Sequence, residues 1–447
     1  MLQKIFFTAL AIRWCYAILI FALLGDAGLQ SVDSATYLAN GHDFAAQIRS
    51  GSLNGLQWLA PVGNAMPLSQ WLFAGFALGF GATTALAFAL FQGVVDAVTC
   101  LLVYGIARTL NKNYAAPAGF AAAINPTQIV LSGIILTDTT FLFFCALFLY
   151  AAVQWLRAPI WRWAALIGLA LGAATMSRAL AAPFAAILFL FLLVTQFFKS
   201  QLSRHLFAQI IGAGLIFSLC IAPVLWRNVT QFGTWSLTPQ TGVYLALWVA
   251  PWVKQSADGT PWAQGYDEMQ HRVDERYKTP TSDLFEQSRR YQEIGREELK
   301  LLGLRATAKA WLIGAAINIW SPAIILSPVV AQLPRTGFYG TPGASPFDKI
   351  KNFLFRSDNA TYAWILLAGI AGVAAARLVQ LIGIVVMLRG GEHLAVLCLL
   401  GLWIAFVLAV NGPIASPKYR LPIEVPLMVL TGAGLSPLLR RWFATGP

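Results

Sequence analysis

The chain has 447 residues, of which 58% are hydrophobic and only 11% are charged. Soluble domains carry about 25% charged residues, so this composition excludes an ordinary soluble enzyme and a disordered protein. The net charge is +12, but the stretch 226–306 holds ten basic and ten acidic residues, so the positive excess lies elsewhere, mostly in short loops between apolar runs. Such an excess is typical of the cytoplasmic loops of membrane proteins and not of a nucleic-acid-binding surface. We therefore expect membrane lipids, and no nucleic acid, among the partners.

Apolar runs long enough to cross a bilayer recur along the chain. A helix needs about 20 residues to cross a hydrocarbon core of ~30 Å. The runs predict an all-α polytopic membrane protein with about ten transmembrane helices. They lie at residues 5–24, 84–107, 115–135, 139–157, 163–177, 180–198, 206–225, 361–388, 394–411 and 421–438. Arg108, Arg157 and Arg389 then fall on one side of the membrane, which the charge rule for loops makes cytoplasmic.

The same count of spans places two long segments on the opposite, outer side. One is a first outer loop, 25–83, and the other is a longer loop between predicted spans seven and eight, 226–360. The predicted organisation is an N-terminal transmembrane module (1–225), a periplasmic helical loop or lid (226–360) and a C-terminal transmembrane module (361–447).

Three stretches on the outer side are predicted to be helical without crossing the membrane. Residues 67–83 and 307–329 are apolar but contain or adjoin proline, and we expect them to lie along the outer leaflet as interfacial helices. Residues 282–302 alternate charged and apolar positions with a helical period, which predicts an amphipathic helix. It belongs to the charged stretch 254–306, the part of the outer loop that we expect to act as a lid.

Two acidic residues on the outer side are candidates for a functional site, because ionisable groups beside membrane spans are costly. Asp33 follows the first span, and Asp138 lies between the third and fourth. Tyr37 is four residues after Asp33, which places both on one face of a helix. Each acid also has a simpler interpretation. Asp33 fits an ordinary residue of a first helical turn, and Asp138 fits the N-cap of the fourth span.

Several basic residues on the outer side run against the charge rule for loops. They are Arg178, Arg227 and the run Lys418, Tyr419, Arg420. Arginine and lysine are the usual ligands of phosphate, and a nearby carboxylate is suited to accept a proton. The pattern predicts a phosphate held by basic side chains beside two carboxylates. Arg178 also fits a general contact with lipid phosphates.

Other charges have structural interpretations. Arg13 and Asp96 lie within the first two spans and are predicted to pair, because an unpaired buried charge is unfavourable. Glu424 lies one turn after Arg420 and is predicted to neutralise it. The sequence contains no HExxH, Walker or dinucleotide-binding motif, so no cofactor is predicted, although two carboxylates leave room for a divalent cation.

Six segments resemble, in the same order along the chain, the GT-C glycosyltransferases, and more closely their protein mannosyltransferase and aminoarabinose transferase branch. The first is Asp33 with Tyr37 after the first span, and the last is SPKYRLPIEVPLMVL, which is similar to an RYxLP-type segment of that branch. Between them lie GNAMPL (63–68), TDTTFLFFCALFLYA (137–151), GLALGAATMSR (168–178) and WRNVTQFGTWSL (226–237). The resemblance spans most of the chain.

The resemblance implies an integral-membrane enzyme that takes a sugar from a polyprenyl-phosphate carrier. The reaction is expected on the periplasmic side of the bacterial inner membrane, with lipid A or lipopolysaccharide, another glycan or a protein hydroxyl as acceptor. Our hypothesis is an inverting transfer with Asp33 as the base and Asp138 as the second catalytic carboxylate. The substrate-binding residues in this hypothesis are Tyr37, Arg178, Arg227, Lys418, Tyr419 and Arg420. Alternatives are a transporter or flippase of lipid-linked glycans and an O-antigen polymerase or ligase.

Overall fold

A computed structural model describes residues 1–63, 65–198, 203–334, 341–355, 360–391 and 394–444. Asn64, within the GNAMPL segment, lies outside these residues. The described residues contain helices and turns but no β-strand. The helices are α1 (Leu2–Gly28), α2 (Val32–Ser50), α3 (Pro67–Phe80), α4 (Thr84–Leu110), α5 (Lys112–Ala123), α6 (Pro126–Ser132), α7 (Asp138–Arg157), α8 (Trp161–Ser177), α9 (Ala182–Phe198), α10 (Arg204–Phe232), α11 (Gln240–Tyr244), α12 (Ala250–Asp258), α13 (Trp262–Arg276), α14 (Leu284–Trp320), α15 (Pro328–Ala331), α16 (Pro346–Phe355), α17 (Ala360–Arg389), α18 (Leu394–Asn411), α19 (Pro417–Arg420) and α20 (Glu424–Ala444).

Eight helical segments among the described residues are long and apolar enough to cross a membrane. They are Leu2–Gly28, Pro67–Leu110, Asp138–Arg157, Ala179–Phe198, Arg204–Phe232, Ala360–Arg389, Leu394–Asn411 and Pro417–Leu438. The prediction of an all-α polytopic membrane protein is therefore confirmed. Two of the ten predicted spans are not among these eight segments. One is 163–177, where α8 has 17 residues, and the other is 115–135. The segment Pro67–Leu110 also joins the predicted interfacial helix, α3, to the predicted span, α4.

The predicted span 115–135 is wrong as a single helix, because the chain breaks at Asn125. Its side chain accepts hydrogen bonds from the backbone N–H groups of Thr127 (2.8 Å) and Gln128 (3.4 Å) and so caps a new helix, α6. Pro126 occupies the first position of α6, where its missing N–H costs nothing. The Asn-Pro pair therefore divides the apolar run into the 12-residue α5 and the 7-residue α6.

The core of the bundle is aromatic where α7, α9 and α18 meet. Trp403 is fully buried and makes edge-to-face contacts with Phe148 (5.1 Å between centroids) and Phe184 (4.7 Å). Its indole Nε1 donates to the Pro422 carbonyl at 2.8 Å. A buried indole needs such a partner. This bond fastens the chain just before α20 to the centre of the bundle.

The predicted pair of Arg13 and Asp96 is confirmed. Arg13 Nε donates to Asp96 Oδ2 at 2.5 Å, and both side chains are almost completely buried. The guanidinium also donates to the Ala123 carbonyl (2.7 Å), while Gln128 Nε2 donates to the second oxygen of Asp96 (2.9 Å). Satisfying the remaining donors and acceptors is what makes a buried ion pair tolerable. The pair joins α1, α4, α5 and α6 and takes no part in the site described below.

The described part of the 226–360 segment is also helical. The amphipathic helix predicted at 282–302 is confirmed as the first part of α14. Asp283 caps this helix, because its Oδ1 accepts a hydrogen bond from the Phe285 N–H at 2.8 Å. Helix α14 is kinked at Gly303, whose φ of 81° suits only glycine. It then continues through the apolar stretch to Trp320 and ends beside the turn between α18 and α19.

Candidate active site

The first carboxylate of the site lies at the start of α2. Asp33 is in the first helical turn, where negative charge is favoured by the helix dipole. Ser34 fixes this turn: its Oγ accepts from the Ser31 N–H at 2.8 Å and donates to the Ile135 carbonyl at 2.6 Å. Because Ile135 leads into α7, the bond brings Asp33 into the same region as Asp138.

Asp33 has a basic partner from the far end of the chain. Lys418 Nζ donates to Asp33 Oδ2 at 2.7 Å. The Lys418 side chain is 18% exposed and that of Asp33 is 49% exposed. The ammonium is thus mostly enclosed, while the carboxylate is open to solvent or to a substrate. Asp33 is therefore a first-turn residue of α2 that also forms an ion pair.

Asp138, the first residue of α7, provides the second carboxylate. Its Oδ1 accepts a hydrogen bond from Arg178 Nη1. Its Oδ2 is buried and has no hydrogen-bond partner. The side chain does not cap α7, so the simpler interpretation of Asp138 as an N-cap is wrong. A buried acceptor without a partner is unusual in proteins and indicates a place for a donor group.

Arg178 directly follows the C-terminal end of α8. Its guanidinium lies 5.9 Å from the centroid of the Phe141 ring. Burial alone lowers the pKa of Arg178, but the adjacent Asp138 carboxylate more than offsets this, and the pKa is raised above its ordinary value. Ser69 of α3 donates to the carbonyl of Ser177 at 3.1 Å, which holds the backbone next to Arg178. The arginine is therefore a fixed positive charge.

Tyrosine side chains surround these charges. Tyr37 stacks on Phe73 with 5.6 Å between ring centroids. Burial raises the pKa of Tyr37, and the positive charge of Arg178 opposes that rise only in part. Tyr419 follows Lys418, and its proximity contributes to the raised pKa of Arg178. Tyr37 is therefore a neutral hydroxyl near pH 7, able to donate and accept hydrogen bonds.

Tyr244 is a member of this group that the sequence did not reveal. It lies in α11, and its hydroxyl donates to the Asn411 carbonyl at 2.9 Å. Burial, followed by the proximity of Tyr419, raises its pKa. A single tyrosine in an uncharged stretch carries no sequence signal. Tyr244 shows that the segment 226–360 contributes directly to the surroundings of the site.

Arg420, expected to bind phosphate, makes its hydrogen bonds to the protein. It is 2% exposed. Its Nε donates to Glu424 Oε1 at 2.6 Å, which confirms that Glu424 neutralises it. Its Nη2 donates to Thr127 Oγ1 at 2.7 Å, and its Nη1 donates to carbonyls at the end of α14, including Ser321. The guanidinium thus ties α19 to α6 and α14.

Arg227 also bonds to backbone and side-chain groups away from the two ion pairs. Its Nη1 donates to the Ala60 carbonyl at 2.6 Å, and its Nε donates to Asn228 Oδ1 at 3.0 Å. Ala60 has φ 64° and ψ 161°, a backbone region that is essentially restricted to glycine. Arg227 therefore holds a strained turn of the segment 25–83.

The donor set for a metal ion is small. Within the part of the chain that the structure describes, no group of three or more His, Cys, Asp or Glu side chains is placed to hold a metal. Asp33 and Asp138 are each neutralised by a basic side chain. Divalent cations prefer several oxygen ligands with net negative charge. No chemical step is therefore assigned to a metal here.

Part of the chain matches a family model. Residues 63–226 match the family model described as dolichyl-phosphate-mannose-protein mannosyltransferase. The resemblance to the GT-C glycosyltransferases is confirmed. Asp138 and Arg178 lie within the matched GT-C segment, while Asp33 and Lys418 lie outside it.

Two of the solved structures that resemble the chain are of ArnT from Cupriavidus metallidurans. The structure in the apo state is 13% identical, with 95% of this chain and 77% of ArnT covered and a TM-score of 0.35. The structure bound to undecaprenyl phosphate is 14% identical, with 96% and 77% covered and a TM-score of 0.37. No curated protein matches the chain significantly.

Proposed function

We propose that this membrane glycosyltransferase moves a sugar from a polyprenyl-phosphate carrier to an acceptor hydroxyl at the periplasmic face of a bacterial inner membrane. The acceptor is lipid A or lipopolysaccharide, another glycan or a protein. The observation that carries the proposal is the pairing of two carboxylates with two cations, Asp33 with Lys418 and Asp138 with Arg178. The matched mannosyltransferase segment supports the same reaction class.

The two cations are suited to hold the phosphate of the donor. Lys418 and Arg178 are charged and largely enclosed, and enclosed cations stabilise the negative charge that builds on a leaving phosphate. When the phosphate engages Lys418, Asp33 loses its partner and becomes free to act as a base. Donor binding and activation of the base are then one event.

The chemical step needs one base and one leaving group. The acceptor oxygen attacks the anomeric carbon, its proton passes to Asp33, and the bond between that carbon and the phosphate oxygen breaks. The phosphate leaves with the bonding electron pair, and attack opposite the leaving group inverts the configuration. Tyr37 lies one turn from Asp33 on α2 and orients its carboxylate.

Asp138 is suited to hold a hydroxyl of the sugar or of the acceptor. Its Oδ2 is buried and unpartnered, while its Oδ1 is fixed by Arg178. A hydroxyl that donates to Oδ2 removes the cost of leaving this acceptor unpaired. Arg227 and Arg420 act on the site through the backbone that they hold. The charged stretch 254–306 serves as a lid that keeps water from the donor.

The test is the substitution Asp33→Asn in cells that lack the native protein. Mass spectrometry of their glycolipids and glycans first identifies the missing sugar, and complementation with each variant then shows whether it returns. Asp43→Asn, an exposed acid on the same helix, is the matched control. We expect Asp43→Asn to restore the product and Asp33→Asn to leave it absent at equal protein levels. Restoration by both variants would remove Asp33 from the role of base.

A further inference from the structure

We propose that Asn318, near the end of α14, is a positioning residue that sets where Lys418 stands relative to Asp33. This inference rests on the proposed function, because positioning matters only if the ion pair takes part in transfer. Asn318 is fully buried, with 0% of its surface exposed. It does not touch Lys418 and acts through the turn between α18 and α19.

Two hydrogen bonds join the Asn318 side chain to that turn. Its Nδ2 donates to the Ile414 carbonyl at 2.9 Å, and its Oδ1 accepts from the Ser416 N–H at 2.8 Å. Ser416 then caps α19, because its Oγ accepts from the Lys418 N–H at 3.3 Å. The chain of contacts from Asn318 to the backbone of Lys418 therefore passes through one residue.

The helix face that carries Asn318 also packs against the end of α18 and the turn that follows it. Trp311 Nε1 donates to the Ala409 carbonyl at 3.0 Å. A Cβ atom on Gly314 would lie 2.6 Å from the Gly412 carbonyl oxygen, so only glycine permits this approach. Positions 311, 314 and 318 are three and four residues apart and share one helix face.

A second connection holds the other end of the turn. Arg420 Nη1 lies 3.3 Å from the carbonyl oxygens of Asn318 and Ile319, at the C-terminal end of α14. Unpaired carbonyls at a helix end favour a cation. Lys418 thus stands between two points, Ser416 and Arg420, that α14 fixes. A lysine side chain has a flexible stem, so a fixed backbone is what keeps its ammonium near Asp33.

The first experiment measures position without reference to activity. The full chain in lipid nanodiscs is treated with an amine-acetylating reagent, and mass spectrometry follows the acetylation rate of Lys418 relative to Lys254. Asn318→Leu keeps the volume but removes both hydrogen bonds. We expect it to raise the Lys418 rate by at least about fivefold, the factor that corresponds to the net worth of one of the two lost hydrogen bonds. Leu312→Ala, at an exposed position of α14, is the control and should leave the rate unchanged.

Asn318→Asp keeps the acceptor for the Ser416 N–H and is the second variant. We expect its acetylation rate to lie between those of the native protein and Asn318→Leu. The comparison also protects the test if Asn318→Leu fails to fold. A native rate in both substitutions of Asn318 would overturn the proposal.

The second experiment separates positioning from general support of the fold. Turnover is measured for the better-folded Asn318 variant in the native chain and in the Lys418→Met background. We expect kcat to fall about fivefold in the native chain and to change little in Lys418→Met, because no ammonium is left to position. Equal losses in both backgrounds would overturn the positioning role. If acetylation of Lys418 rises but Lys418→Met leaves turnover unchanged, the positional claim stands and the proposed function fails.

Discussion

Lys418 Nζ lies 2.7 Å from Asp33 Oδ2, although 385 positions separate the two residues in the chain. The pair joins the first turn of α2 to the short helix α19. Its carboxylate is half exposed and its ammonium is enclosed. Under the proposed function, the phosphate of the donor competes with Asp33 for this ammonium.

Replacing Lys418 with Met should lower kcat/KM for the lipid donor by about 100-fold, because one donor directed at developing charge is worth roughly that factor. Steady-state assays with a fixed acceptor measure the change. Lys254→Met is the control: Lys254 also pairs with an aspartate, Asp258 at 3.2 Å, but within α12 and with neither carboxylate of the candidate site. A native kcat/KM in Lys418→Met would contradict the phosphate assignment.

Replacing Asp138 with Asn removes the counterion of Arg178. We expect the free energy of unfolding to fall by about 1.5–3 kcal/mol, the worth of a hydrogen bond to a charged group. Arg178 keeps some solvent contact, with 26% of its side chain exposed, so the loss stays below that of a fully buried pair. The double variant Asp138→Asn/Arg178→Met should recover stability but not transfer. Thermal unfolding in detergent measures stability, and the transfer assay measures activity. Recovery of both stability and activity in the double variant would assign the pair a purely structural role.

Replacing Ala60 with Gly should stabilise the protein by about 1 kcal/mol. Among the described residues, Ala60 is the non-glycine residue with positive φ, and relief of its strain exceeds the added freedom of the unfolded chain. Ala65→Gly, in the same loop but with ordinary φ, should destabilise instead. A lower melting temperature for Ala60→Gly would show that the turn is not strained.

Acidification should loosen the start of α14. Hydrogen bonds from Arg289 and then Arg290 lower the pKa of Glu286 below its ordinary 4.5. A lowered folded-state pKa gives stability that is present above the unfolded value of 4.5 and is lost as pH falls through the folded-state pKa. The pair is on the surface, so the effect is at most about 1 kcal/mol.

Limited proteolysis of the 284–300 region, measured from pH 6 to pH 3, follows this change. Glu286→Gln should be more susceptible than the native chain at pH 6 and equally susceptible at pH 3. An unchanged difference between the two proteins across this range would contradict the linkage.

The sequence identified the charged part of the site because charge is costly beside a membrane. Asp33, Asp138, Arg178 and Lys418 stood out as ionisable groups on the outer side, and the structure places them as two ion pairs. Arg227 and Arg420 stood out for the same reason, yet both hold backbone carbonyls. The charge of a side chain does not show whether it belongs to the site or binds backbone carbonyls, because the carbonyl partners come from distant segments of the chain.

Neutral contributors had no comparable signal. Tyr244 and Asn318 become important only when α11 and α14 dock on the turn after α18. The Asn125-Pro126 pair indicates a break, but the high average hydrophobicity of 115–135 favoured the prediction of one continuous helix. The length of the apolar runs thus predicted the class of fold. Helix caps and long-range polar contacts determine its details.

The distance in sequence between Asp33 and Lys418 has a consequence for biosynthesis. A nascent chain exposes both carboxylates long before the ribosome reaches α19. Until α19 has been made, Asp33 lacks the ammonium of Lys418, its partner in the folded protein. Under the proposed function, transfer therefore begins only after α19 has been made and has packed beside the start of α2.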